Sequence, residues 1–98
     1  MKAMMFSAAL LLTACASVPL PTEKLLAAES AIARANVSRG DEPGSAELRA
    51  ARTKLAAARE AVAQDEMLQA TRLAEEARLD ADLATARLEV VKAQFNVE

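Results

Sequence analysis

Side chains that could carry out covalent chemistry are few in this sequence. Cys15 is the sole cysteine among 98 residues, and histidine is absent. Nucleophilic catalysis needs a nucleophile, a base and an orienting group within reach of one another. The serines lie outside G-x-S-x-G and S-x-x-K settings. We therefore expect no catalytic residues and no enzymatic activity.

Four carboxylates that crowd one stretch could form a metal site: Glu75, Glu76, Asp80 and Asp82. Two of them, Glu76 and Asp80, are four residues apart and could share a hard cation such as Ca²⁺. Calcium takes about six to eight oxygen ligands, however, and a straight helix presents few. Arg72 and Arg78 lie at the spacing of ion pairs within one helix. We expect a solvated, ion-paired face that holds neither a metal nor another non-covalent cofactor.

The residues in front of Cys15 predict what happens to its thiol. Lys2 is followed by an apolar run from residue 3 to 12, much shorter than the ~20 residues of a membrane-spanning helix and typical of a signal peptide. Leu12, Thr13 and Ala14 before Cys15 resemble the lipobox of bacterial lipoproteins, in which a peptidase cuts before the cysteine and lipid is attached to it. The resemblance implies a signal peptide over residues 1–14 and a covalent lipid on Cys15. Ordinary secretion with cleavage after Ala16 is the alternative.

The segment after Cys15 reads as a tether that would keep the mature protein on a membrane. Pro19 and Pro21 favour an extended chain, so residues 15–22 should link the lipid to the folded part. Ala16 stands where retention in the inner membrane would favour Asp, and this pattern resembles that of outer-membrane lipoproteins. We expect an outer-membrane anchor with the folded domain, residues 23–98, in the periplasm.

Composition predicts a small all-α domain. Alanine accounts for 25 residues and aromatic side chains for 2%, so any core is shallow. The net charge of −2 gives no basic footprint for nucleic acid. Helical periodicity divides the rest of the chain into segments of about 23–37, 45–64 and 66–96, with Thr22, Ser45 and Asp65 as candidate N-caps. The fold is an antiparallel helical hairpin or a small three-helix bundle.

The second and third segments share a coiled-coil-like seam of alternating three- and four-residue spacing. Its members are Leu48, Ala51, Leu55, Ala58 and Val62 in the second segment and Ala70, Ala74, Ala77, Ala81 and Ala84 in the third. A hairpin closing at residues 64 and 65 sets Leu55 opposite Ala74 and, in the same register, Leu48 opposite Ala81. The third segment outlasts the second, so Leu88, Val91 and Phe95 need another cover. The first segment could supply it within the chain, and a second copy or another envelope protein could supply it from outside.

The helical part resembles a known family. The run from Ala46 to Arg59, followed by those from Ala70 to Ala77 and from Asp80 to Ala84, is similar to the short Ala-rich envelope lipoproteins of domain of unknown function 4398. The similarity covers roughly residues 25–93 and departs at the second turn, where Gln64-Asp65 replaces Gly-Asp. It implies a helical periplasmic domain. The family has no established activity, so no catalytic residue is carried over.

These features predict a non-enzymatic outer-membrane lipoprotein that acts as a structural or accessory factor through protein contacts. Its partners would be the membrane, through the lipid, and another envelope protein or itself. Two other functions stay open. One is a helical carrier or binding module for a lipid or peptide, and the other is an oligomeric coiled-coil spacer.

Overall fold

In a computed structural model, residues 20–35 and 40–96 are described, and they form an all-α bundle. The helices are α1 (Thr22–Ala35), α2 (Ser45–Ala63) and α3 (Met67–Asn96). This confirms the all-α class, and of the two expected architectures the chain adopts the three-helix bundle. The predicted end of the first segment, at Val37, lies outside the described residues.

Three contact layers, each with one residue from every helix, fix the topology. The layers are Ala28 with Leu55 and Ala77, Ala31 with Ala51 and Ala81, and Ala35 with Leu48 and Ala84. The residue numbers of α1 and α3 rise together through the layers, while those of α2 fall. Helix α1 is therefore parallel to α3, and both are antiparallel to α2.

The core is built almost entirely from alanine. Among the described residues, the buried hydrophobic side chains of the core are those of Leu48, Leu55 and eleven alanines, and no polar side chain is buried. Alanine lets helix backbones approach closely, because its methyl group is the smallest side chain that can fill a seam. Ile32 is half-buried and packs against all three layers. Stability therefore depends on the fit of backbones more than on large side chains.

The connection between α2 and α3 is a Schellman motif, in which Asp65 ends α2 instead of starting α3. The amide of Glu66 donates to the carbonyl of Ala61 at 2.8 Å, and that of Asp65 donates to Val62 at 3.0 Å. Asp65 has a φ of 60°, the left-handed conformation that such a turn requires. Helix α3 is capped by Glu66, whose carbonyl accepts from the amide of Ala70. The predicted N-cap at Asp65 is thus wrong.

The other two predicted N-caps err in the opposite direction, and each lies one residue too far along the chain. Gly44 caps α2 with a φ of 90°, and its carbonyl accepts from the amide of Leu48. Ser45 is the first residue of the helix, and its hydroxyl donates to the carbonyl of Gly40. In α1 the carbonyl of Pro21 accepts the first helical hydrogen bond, so Thr22 already lies inside the helix. Glycine is needed at residue 44, because a Cβ there would lie 2.5 Å from the carbonyl oxygen of Ala84.

The register between α2 and α3 differs from the predicted one by three residues. Leu55 contacts Ala77 where Ala74 was expected. Leu48 contacts Ala84 in place of Ala81. The cause is the turn, which uses Gln64, Asp65 and Glu66 instead of a tight reversal at two residues. Val62, a predicted seam residue, is only half-buried. Its neighbour Ala61 is buried instead, and the carbonyl of Ala61 accepts the hydrogen bond from Glu66 that closes the turn.

Candidate functional site

Helix α3 continues beyond the other two helices and carries an apolar face there. Helix α1 ends level with Ala84, against which the start of α2 also packs, and α3 runs on to Asn96, about 18 Å further. We call Leu88, Val91 and Phe95 the distal face. Leu88 and Val91 are half-buried, and Phe95 is 77% exposed. Of the covers that the sequence leaves open, the described part of the first segment does not supply one, because α1 ends at Ala35, level with Ala84.

An open groove lies beside the distal face. It is bounded by Pro43, in the connection between α1 and α2, and by residues of α3 that include Leu83, Val90 and Val91. Arg87 lines the groove, and its Nε lies 2.8 Å from Oε1 of Glu47. The walls are mostly apolar, and Val90 is 57% exposed. The groove and the distal face together give this end of α3 a continuous, partly exposed apolar surface.

The acidic stretch of α3 is a partly solvent-exposed, ion-paired face, and most of its pairs reach across to the other two helices. Glu75 pairs with Lys24 of α1 at 3.0 Å, and Asp80 pairs with Lys54 of α2 at 2.8 Å. Of the pairs expected within α3, the one between Arg78 and Asp82 forms, at 3.0 Å. These charges therefore cross between helices and help to set the register. In the part of the chain that the structure describes, no group of three acids, cysteines or histidines is arranged to hold a metal ion.

The ion pair between Lys54 and Asp80 is the most enclosed of these contacts. Asp80 Oδ2 is shielded from water, and Lys54 Nζ is its partner. The hydrogen bond to Asp80 is the main cause that raises the pKa of Lys54 above its ordinary value of 10.5; partial burial opposes the shift, and attraction by Asp80 and Glu76 adds to it. Lys54 Nζ also lies 4.0 Å from Glu76 Oε2. The pair links α2 to α3, and we assign it a structural role.

The remaining predicted site residues fall into two groups. Nine seam residues lie in the buried interface, and they are Leu48, Ala51, Leu55, Ala58, Ala70, Ala74, Ala77, Ala81 and Ala84. Cys15 and the residues before it, Leu12, Thr13 and Ala14, lie outside the described residues. None of the described helices is long and apolar enough to cross a bilayer.

Two features of this end of the molecule are absent from the sequence-based prediction. One is the groove beside Pro43, which forms because the start of α2 is pressed against α3. The sequence signal for it is Gly44, because glycine permits a close approach of two backbones. The other is a second apolar stripe on α3, formed by Leu79, Leu83 and Val90, all exposed. The sequence contains its four- and seven-residue spacing, but the alanine seam on the opposite side of the helix is more regular and dominates the pattern.

Comparison with known proteins identifies a family. Residues 23–98 match the family described as Domain of unknown function (DUF4398). No curated protein and no solved structure matches the chain. The match covers all three helices, including the distal end of α3. The chain therefore belongs to the family of domain of unknown function 4398.

Proposed function

We propose that this protein is a lipid-anchored, non-enzymatic component of the bacterial outer membrane that faces the periplasm and acts as a structural or accessory factor through protein contacts. The observation that carries the proposal is the distal face, where α3 bears Leu88, Val91 and Phe95 beyond the reach of α1. Fully burying an exposed side chain of this size is worth roughly 1.5 to 3 kcal/mol, and Phe95 is the most exposed of the three, so covering this face favours association.

The topology supports a role at a distance from the membrane. Because α1 and α3 are parallel, the chain enters the bundle at the end where α2 turns into α3. A lipid on Cys15 would hold that end near the bilayer. The distal face would then stand about 45 Å away, the length of a 30-residue helix.

The core weighs against the carrier alternative. A lipid or peptide carrier needs an enclosed apolar volume between its helices. Here the layers between helices are filled by alanine, with Leu48 and Leu55 as the largest buried side chains among the described residues. The spacer alternative asks for one long rod, whereas this chain reverses direction between α1 and α2 and again between α2 and α3.

Two experiments test the proposal. The variant Cys15→Ser should lose labelling by radioactive palmitate and be released from the membrane fraction. Labelling and membrane retention equal to those of the parent chain would refute the anchor. A photo-crosslinking amino acid at residue 95 should give adducts with other envelope proteins in living cells, and the same group at residue 63, exposed at the opposite end of the bundle, is the control. An absence of adducts at residue 95 would refute the contact function.

A further inference from the structure

The charges around the distal face restrict what can dock there. Arg87 immediately precedes Leu88, and Lys92 immediately follows Val91, so the two cations border the apolar stripe on opposite sides. In a heptad these are the g and e positions, which choose partners in coiled coils. The acid of this stretch, Glu89, lies one position further from the stripe. Arg87 is engaged by Glu47, but its guanidinium has donors to spare.

A second copy is a poor occupant for this face. Copies anchored in one membrane stand parallel, a condition that rests on the proposed function. In a parallel pair each g position meets the following e position of the other helix. Arg87 of each copy would then face Lys92 of the other, giving two like-charge contacts. Such contacts are the usual means by which helices reject a wrong partner.

The small area of the face limits the affinity of any helix that docks there. The free part of α3 is about 18 Å long, and a helix is about 10 Å wide. A stable dimer buries roughly 800 Å² on each partner, more than this face offers to a copy of itself. Binding here is therefore weak for any single helix, and the charges at its border decide between partners.

From these observations we propose that the distal face docks an amphipathic helix of a different protein, one that carries acidic residues on both sides of its own apolar stripe. Acidic side chains at those positions reach Lys92 on one border and Arg87 on the other. The groove beside Pro43 continues the apolar surface on the side of Arg87. A large apolar side chain of the partner could bind in this groove.

The test uses the full lipidated chain in phosphatidylcholine vesicles and two synthetic helical peptides with the same leucine and alanine stripe. One peptide has Glu at every position flanking the stripe, and the other has Lys. We expect the Glu peptide to bind about tenfold more tightly, because attraction at two borders replaces repulsion. Lys92→Glu should remove or reverse this preference. Arg72→Glu makes the same change on an exposed residue of α3 far from the face and should leave it intact. Equal affinity for the two peptides, or tighter binding of the Lys peptide, would overturn the proposal.

A second measurement tests self-pairing directly. In Phe95→Cys the new thiol is the one available for oxidation, because the thiol of Cys15 is consumed by lipid. Oxidation in the same vesicles should leave the chain monomeric, and efficient disulfide dimers would overturn the proposal. The contact function and the acidic partner can be refuted separately. Adducts at residue 95 in cells without a charge preference for peptides would leave the contact function standing and refute the acidic partner. A lack of adducts in cells would refute the function itself.

Discussion

The two halves of α3 follow the same three-four spacing but differ in the size of the residues that occupy it. From residue 70 to residue 84 the seam is alanine at every position, and each of these alanines is buried. Beyond residue 84 the same stripe is Leu88, Val91 and Phe95, with exposure rising to 77% at its end. Small residues therefore mark the part of α3 that has close neighbours in the chain. Large ones mark the part that runs beyond the end of α1, which teaches that spacing alone does not say whether a seam is already filled.

The largest expected effect compares truncation in the two halves. Leu48→Ala should lower the free energy of unfolding by about 2 to 5 kcal/mol, because Leu48 is 2% exposed and packs on Ala35 and Ala84. Phe95→Ala should change it by less than about 0.5 kcal/mol, as expected for an exposed position. Urea unfolding followed by circular dichroism measures both. Similar losses for the two variants would show that Phe95 has a partner within the chain.

A somewhat smaller effect is expected at the boundary between the halves. Gly44→Ala should destabilise by about 2 to 4 kcal/mol, because alanine is strained at positive φ and its Cβ would strike the carbonyl of Ala84. Gly40→Ala is the matched control, since nothing lies within 4 Å of a Cβ there. Thermal melting of the two variants gives the comparison. Equal melting temperatures would mean that α2 does not approach α3 so closely.

The turn at the other end of the bundle offers a stabilising change. Asp65 has a φ of 60°, which glycine adopts without steric cost. Asp65→Gly should therefore raise the free energy of unfolding by about 0.5 to 1 kcal/mol. Gln64→Gly should lower it by a similar amount, because Gln64 has a φ of −92° and glycine there only adds entropy to the unfolded chain. Destabilisation by Asp65→Gly would contradict the Schellman geometry.

The smallest effect concerns pH. The pKa of Lys54 is raised in the folded state, so its ion pair with Asp80 stabilises the fold below the ordinary pKa of 10.5 and is lost as the pH rises through the raised value. Melting temperatures of the parent chain should fall more steeply than those of Lys54→Met between about pH 9 and pH 12. Lys92→Met, on the free half of α3, should keep the steep parental profile. If the melting temperatures of the parent chain and of Lys54→Met fell equally with pH, the ion pair between Lys54 and Asp80 would not contribute to stability.

The sequence predicted the helices and their buried faces well, because alanine and leucine at three-four spacing leave few other solutions. It did not predict the register. An alanine seam looks alike at every turn, so the pattern of Ala70 to Ala84 fits α2 equally well after a slide of three residues. The choice depends on the backbone geometry at Asp65 and on distant ion pairs such as that between Lys24 and Glu75. The distal face was recognised from its periodicity, but its lack of cover required knowing where α1 ends.

The parallel arrangement of α1 and α3 has a mechanical consequence. The described chain begins at one end of the bundle and finishes at the other, so a pull between its two ends drives α1 and α3 past each other lengthwise. The three contact layers and the ion pairs of Lys24 and Arg34 with α3 then bear the load at the same time. An antiparallel pair pulled from one end would instead open like a zipper, one layer after another. The bundle is loaded in shear, and this geometry suits a link under tension.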